Sequence, residues 1–301
     1  MPTALRMTRQ RHQELPCWHI RYGDAELLIA EQGAQLLSYA REGEPPLVWL
    51  SEQAAFRQGQ SVRGGVPLCW PWFGDLARNP DSVRAMHQAP ATAPFHGLVR
   101  TLPWELLEVT DGSAGLGLVF HLPVGAAGLP GWPHAVQPRL RLHVGERLSV
   151  ILSSHNQGDT PVTLSQALHS YLAVGDIRQA QVEGLDGCRY HETLEDWAAR
   201  RQQGPLRFDG ETDRPYLDVP ERLAVIDPAW RRRLCLESIG SRSAIVWNPW
   251  IDKAARLSQF ADDAWQRMLC IETANVLDDV VTLAPGAETR VGFSLWSEPL
   301  R

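Results

Sequence analysis

Short stretches in which apolar and polar positions alternate recur along the chain, separated by turn-forming residues. Cys17–Tyr22 and Ala25–Ala30 are strand-like and are joined by Gly23-Asp24, a pair suited to a hairpin. Another extended stretch runs from Gly33 to Tyr39, and Val48-Trp49-Leu50 follows a Pro-Pro turn. Leu116–Leu122, Gln137–Val144 and Leu148–Ser154 alternate or are β-rich, with Gly145-Glu146 turning between the last two. Gln179–Leu185, Ala224–Asp227, Arg233–Ser238, Ala244–Trp247, Val280–Leu283 and Thr289–Leu295 continue the series. Leu194–Gln203 is the best short helix candidate. Gly210–Val219 reads as a polar loop, Asp75–Pro94 as a long surface loop, and Asn248–Phe260 as a turn followed by a loop or a single helical turn. The first 14 residues are polar and basic and read as a flexible extension. No Gly/Ser linker, charge block or low-complexity segment divides the chain. The pattern predicts one all-β sandwich domain over residues 1–301, with few short helices.

Two of these stretches carry candidate chemistry. Ser165–Ile177 alternates so that Ser165, Ala167, His169, Tyr171 and Ala173 share a face. His169 therefore sits between a small side chain and a ring, with room for a ligand and a wall beside it. In Leu269–Val276 a single carboxylate, Glu272, interrupts an apolar strand. A histidine and a glutamate on rigid strands make a general acid and general base. Each also has a plain reading, as a satisfied core histidine and a buried ion-pair member.

Composition narrows the class. The net charge of −6 argues against non-specific nucleic-acid binding while allowing a local basic pocket. No apolar run is long enough to span a bilayer, and no signal-peptide core stands near Met1. The cysteines (Cys17, Cys69, Cys188, Cys235 and Cys270) are odd in number, scattered and free of CxxC spacing. They point to buried thiols in a reducing compartment, the cytoplasm, rather than a disulfide framework. His191-Glu192 is followed by Glu195 where a metalloprotease helix would carry a second histidine, so no protein-bound catalytic metal is expected.

Two loops add further candidates. Ser61–Gly74, SVRGGVPLCWPWFG, has too many Gly and Pro for a helix interior or central strand. It reads either as a Trp-stapled corner, with Trp70 and Trp72 filling it, or as a ligand wall on which they stack, with Arg63 anchoring an anion. It lacks the Walker pattern. Phe95–Glu105 places His96-Gly97 and Arg100 just before an apolar strand.

Taken in order, RGGVPLCWPWFG, HGLVRTLPWE, ALHSYLAVGDI, VWNPWIDKAARLSQF and CIETANV resemble motifs of the aldose 1-epimerase (galactose mutarotase-like) superfamily, and within it the hexose-6-phosphate mutarotase branch. The likeness extends over nearly the whole chain. It implies a large supersandwich of antiparallel sheets with the sugar in a groove on a concave face. It also implies an isomerase, a glucose-6-phosphate 1-epimerase, that exchanges α and β anomers of a hexose 6-phosphate without a cofactor. Carried over by residue, His169 and Glu272 match the catalytic pair, with Glu272 as base at O1 and His169 as acid at O5. Arg63 and Arg100 match arginines associated with phosphate and sugar. Asp213 matches an aspartate on sugar hydroxyls, and His96 a histidine near the sugar. Phe95 departs from relatives that carry a substrate-touching glutamine. Arg78 and Arg84 have no dependable counterpart. The expected partner is a small hexose phosphate bound by a monomer, with no nucleic acid and no membrane. Competing readings are mutarotation of unphosphorylated aldoses, a non-catalytic sugar-phosphate-binding protein, and a glycosidase pairing Glu272 with Asp213.

Overall fold

The computed structural model describes residues 4–88 and 93–300. The described residues form four antiparallel sheets of two, four, eight and nine strands. Five short 3-10 segments and two short helices, Asp81–Arg84 and Trp250–Ala254, interrupt them. The all-β antiparallel architecture expected from the alternation is what the chain adopts.

Differences from the sequence reading fall where polar residues lie inside strands. The N-terminal stretch read as a frayed extension contains a strand, Leu5–His12, paired along its whole length with Leu15–Tyr22. Its two-residue turn uses Gln13 at φ 51° rather than a glycine, so the usual hairpin signal is missing. The helix expected over Leu194–Gln203 is instead a 3-10 turn, Thr193–Glu195, followed by the strand Ala198–Arg201. That strand pairs with Arg189–Glu192, and the left-handed Asp196 and Trp197 turn the chain between them. Pairing outweighs helix propensity here, which separates such residues by only tenths of a kcal/mol each. The segment read as a polar loop over Gly210–Val219 contains the strand Thr212–Leu217. Four of the residues read as a long loop, 89–92, lie outside the described residues; the part before them holds the helix Asp81–Arg84.

The eight-stranded sheet carries the candidate chemistry. Its central strands are Thr212–Leu217, Ser243–Asn248 and Met268–Asn275, flanked by Gln166–Leu168 and Tyr171–Ala173. Met268–Asn275 is buried along its whole length. It packs through one face on Glu288–Pro299 of the nine-stranded sheet, which is why it reads as an apolar run. A buried polar chain also links the sheets. Trp70 Nε1 donates to Ser154 Oγ (3.0 Å), Ser154 Oγ donates to Gln166 Oε1 (3.3 Å), and Gln166 Nε2 donates to Asn275 Oδ1 (3.0 Å). Every member is buried and partnered, so the chain fixes the register of the two strands beneath the site.

Candidate active site

The strand register brings the site together. Tyr171 lies opposite Cys270, Cys270 opposite Trp247, and Trp247 opposite Asp213. One residue pair further along, Glu272 lies opposite Ile245, and Ile245 opposite Pro215. Because alternate residues share a face, these two rows form the floor of a cleft of about 840 Å³. His169 falls in the break between Gln166–Leu168 and Tyr171–Ala173, at the edge of the same floor. Arg63, His96, Arg100, His169, Asp213 and Glu272 all line this one cleft.

His169 Nε2 stands 3.5 Å from Glu272 Oε1, beyond an ordinary hydrogen bond. His169 Nδ1 and Glu272 Oε2 are buried without a partner. Both groups are therefore free to reach a third atom. Their titration is shifted by the same burial in opposite senses. Glu272 is raised well above the usual carboxyl range by burial, and further by Asp213, with Arg100 opposing. His169 is lowered to about 3 by burial, then by Arg100 and Arg63. These directions favour a protonated Glu272 beside a neutral imidazole.

His96 is positioned from behind. Its Nδ1 accepts the Gly74 N–H (3.1 Å), which leaves the proton of the neutral ring on Nε2. Burial, then His169, keeps the ring well below its usual pKa. Gly97 at φ 79° lets the chain pass Trp70, where a Cβ would come within 2.1 Å of the Trp70 carbonyl oxygen. Phe95 is exposed at the cleft, edge-on to His96 at 4.3 Å.

Arg63 and Arg100 have no carboxylate partner among the described residues. Arg63 Nη1 donates only to the Tyr171 hydroxyl, at 3.4 Å, and Arg100 Nε is buried without an acceptor. Asp213 carries a carboxyl raised by burial, with Lys253 opposing. Lys253, which sequence reasoning left unassigned, lines the cleft and pairs with Glu211 at 2.8 Å. Arg78 also lines it, its guanidinium 5.6 Å from the Trp197 ring, whereas Arg84 pairs with Asp81 away from the cleft. Trp70 and Trp72 are not sugar platforms. Both are buried in the core, and Trp72 Nε1 donates to the Pro94 carbonyl (2.9 Å). The aromatic side chains that line the cleft are Phe73, Phe95, Tyr171, Trp197 and Trp247, with Tyr171 itself buried. The alternation of Val246-Trp247-Asn248 held the signal for Trp247.

Ligand atoms of His169, Cys270 and Glu272 lie within 4.8 Å of one another. Burial holds the Cys270 thiol well above its ordinary pKa, and Glu272 likewise, so a cation would have to displace two protons beside two arginines. The set suits proton exchange better than metal ligation.

Antiparallel sheets that set a histidine and a glutamate on the floor of one cleft are the architecture of a class of sugar isomerase. The family model for aldose 1-epimerase matches residues 16–296, and the chain belongs to that family. It is 31% identical over 258 residues to the Escherichia coli K12 protein named "Putative glucose-6-phosphate 1-epimerase", a match covering 85% of this chain and 82% of that one. It is 30% identical over 279 residues to the Cenchrus ciliaris protein of the same name, covering 89% and 80%. The crystal structure of a "putative mutarotase" from Salmonella typhimurium superposes with a TM-score of 0.87 at 28% identity, over 97% of this chain and 94% of that one.

Proposed function

We propose that the chain interconverts the α and β anomers of a hexose 6-phosphate, with glucose 6-phosphate foremost. The observation that carries this reading is the pair of arginines without carboxylates, set beside an acid–base pair on one cleft floor. Guanidinium forks suit phosphate oxygens, and their own charges have no other counter-ion here. The names of the relatives support the same substrate.

The proposed chemistry needs one proton removed from O1 and one delivered to O5. The C1–O5 bond then opens, the aldehyde rotates about C1–C2, and the ring recloses on its other face with the roles reversed. Glu272 serves O1 and His169 serves O5. With the proton favoured on Glu272, the pair must first shift it to His169. A phosphate dianion contributes through Arg63. Burial is the main reason His169 is a weak base, but Arg100 and Arg63 add to it. An anion that cancels Arg100 raises His169 and Glu272 alike, whereas cancelling Arg63 favours the imidazole alone. Each proton transfer contributes typically ~10²- to 10⁴-fold in rate. Glu272 lies 3.5 Å from an imidazole nitrogen, a donor–acceptor pairing that suits proton exchange, while Asp213 reaches it through charge alone. The five cysteines are free and buried, in keeping with a reducing cytoplasm.

Exchange NMR on the anomers of glucose 6-phosphate, with glucose and galactose alongside, tests the reading. The wild type is expected to speed exchange of the phosphosugar, and Glu272→Gln to abolish the effect. Acceleration of neutral sugars alone would reassign the arginines. Binding of the phosphosugar without exchange would make the chain a sugar-phosphate binder.

A further inference from the structure

We propose that Tyr171 is a positioning residue that couples the anion-binding Arg63 to the plane of the His169 ring, a role that rests on the anomer-exchange reading above. Among the described residues no side-chain hydrogen bond of ordinary length orients that imidazole. Its Nδ1 is unpartnered, and its Nε2 lies 3.5 Å from Glu272. Packing holds it instead. The Tyr171 ring lies 4.9 Å away and only 9° from parallel, while Trp247 and His96 meet the imidazole edge-on at 6.2 Å and 5.3 Å.

Tyr171 is itself held on several sides. Its N–H donates to the Gly65 carbonyl and its own carbonyl accepts the Trp49 N–H, both at 2.9 Å. Trp49 also stacks on its ring at 5.8 Å. Its hydroxyl accepts from Arg63 Nη1. The guanidinium is thus one aromatic ring away from the imidazole. A phosphate that fixes Arg63 fixes the phenol, and the phenol sets the angle of the imidazole against O5. Interaction with a remote, non-reacting group then lowers the barrier as well as the Michaelis constant. Burial raises the phenol above its ordinary pKa, so Tyr171 does not compete for the transferred proton.

Two variants and two readouts test this. Tyr171→Phe keeps the stack and removes the hydroxyl, and Tyr171→Leu removes both. Steady-state exchange of glucose 6-phosphate gives kcat and KM, and NMR of ¹⁵N-histidine-labelled protein reports the His169 ring. Tyr171→Phe is expected to lower kcat roughly threefold or more and to raise KM, with the His169 signals still sharp. Tyr171→Leu is expected to lower kcat about 10- to 100-fold and to broaden the His169 signals while those of the other histidines hold. A Phe variant altered in KM alone, or a Leu variant with sharp His169 signals and wild-type kcat, overturns the proposal. If the Leu variant fails to fold, the Phe variant decides through its kcat. Should the wild type exchange no sugar phosphate, the anomer reading falls, while the ring signals still decide whether Tyr171 orients His169.

Discussion

At the residue scale, burial sets the character of the site. His169 is ionised at about 3 rather than its ordinary 6.5. Between those values the unfolded chain binds a proton that the folded chain refuses, so stability is lost as pH falls from about 6.5 toward 3. His169→Gln removes that contribution. Thermal melting between pH 7 and pH 4 is expected to show a shallower fall for the variant, only in part because His96 is lowered in the same direction. An identical slope would mean that His169 takes up its proton inside the fold. The sequence made His169 and Glu272 legible because each is a polar exception in a β-rich stretch. It could not reveal which of them holds the proton, because that depends on Arg63, Arg100 and Asp213, which are distant along the chain.

At the scale of elements, alternation revealed most strands that are apolar on their core face and missed polar ones, Leu5–His12, Ala198–Arg201 and Thr212–Leu217. Thr212–Leu217 contains Asp213, Arg214 and Pro215 and looks like a loop. Yet Arg214 is paired with buried Glu192 at 2.6 Å, and Asp213 faces the cleft. A strand between a ligand cleft and a buried ion pair need not look apolar on either side. The Trp-rich corner was legible as a shaped loop, but its indoles turned inward because Ser154 and the Pro94 carbonyl supply acceptors there. The close approach at Gly97 makes a test of this corner. Gly97→Ala puts a Cβ against the Trp70 carbonyl at a φ of 79° and is expected to cost roughly 2 kcal/mol or more, read as a lower urea midpoint. A wild-type midpoint would show that the corner can move aside.

Across the whole molecule, a net charge of −6 surrounds a cleft in which two arginines lack carboxylate partners. An anion that fits them should stabilise the folded state alone. Inorganic phosphate at a hundred times its dissociation constant would add about 2.7 kcal/mol. The melting temperature is expected to rise with phosphate in the wild type and to respond much less in Arg63→Ala. An equal rise in both would place the anion elsewhere. The sandwich class was legible because most strands alternate. The grouping into four sheets was not, since it depends on pairings between strands far apart in the chain, such as Gln166–Leu168 with Met268–Asn275.

Those distant pairings bear on how the protein comes into being. Arg63, His169, Asp213 and Glu272 are supplied by widely separated parts of the chain, and the Glu272 strand is synthesised after every strand it pairs with. Contacts between remote segments form late and slowly. A partly folded chain can hold hairpins such as Leu5–Tyr22 and Val136–Asn156 and still have no floor for a sugar to rest on. Recovered activity after dilution from denaturant therefore marks the closing of the central sheet, while strand content returns earlier.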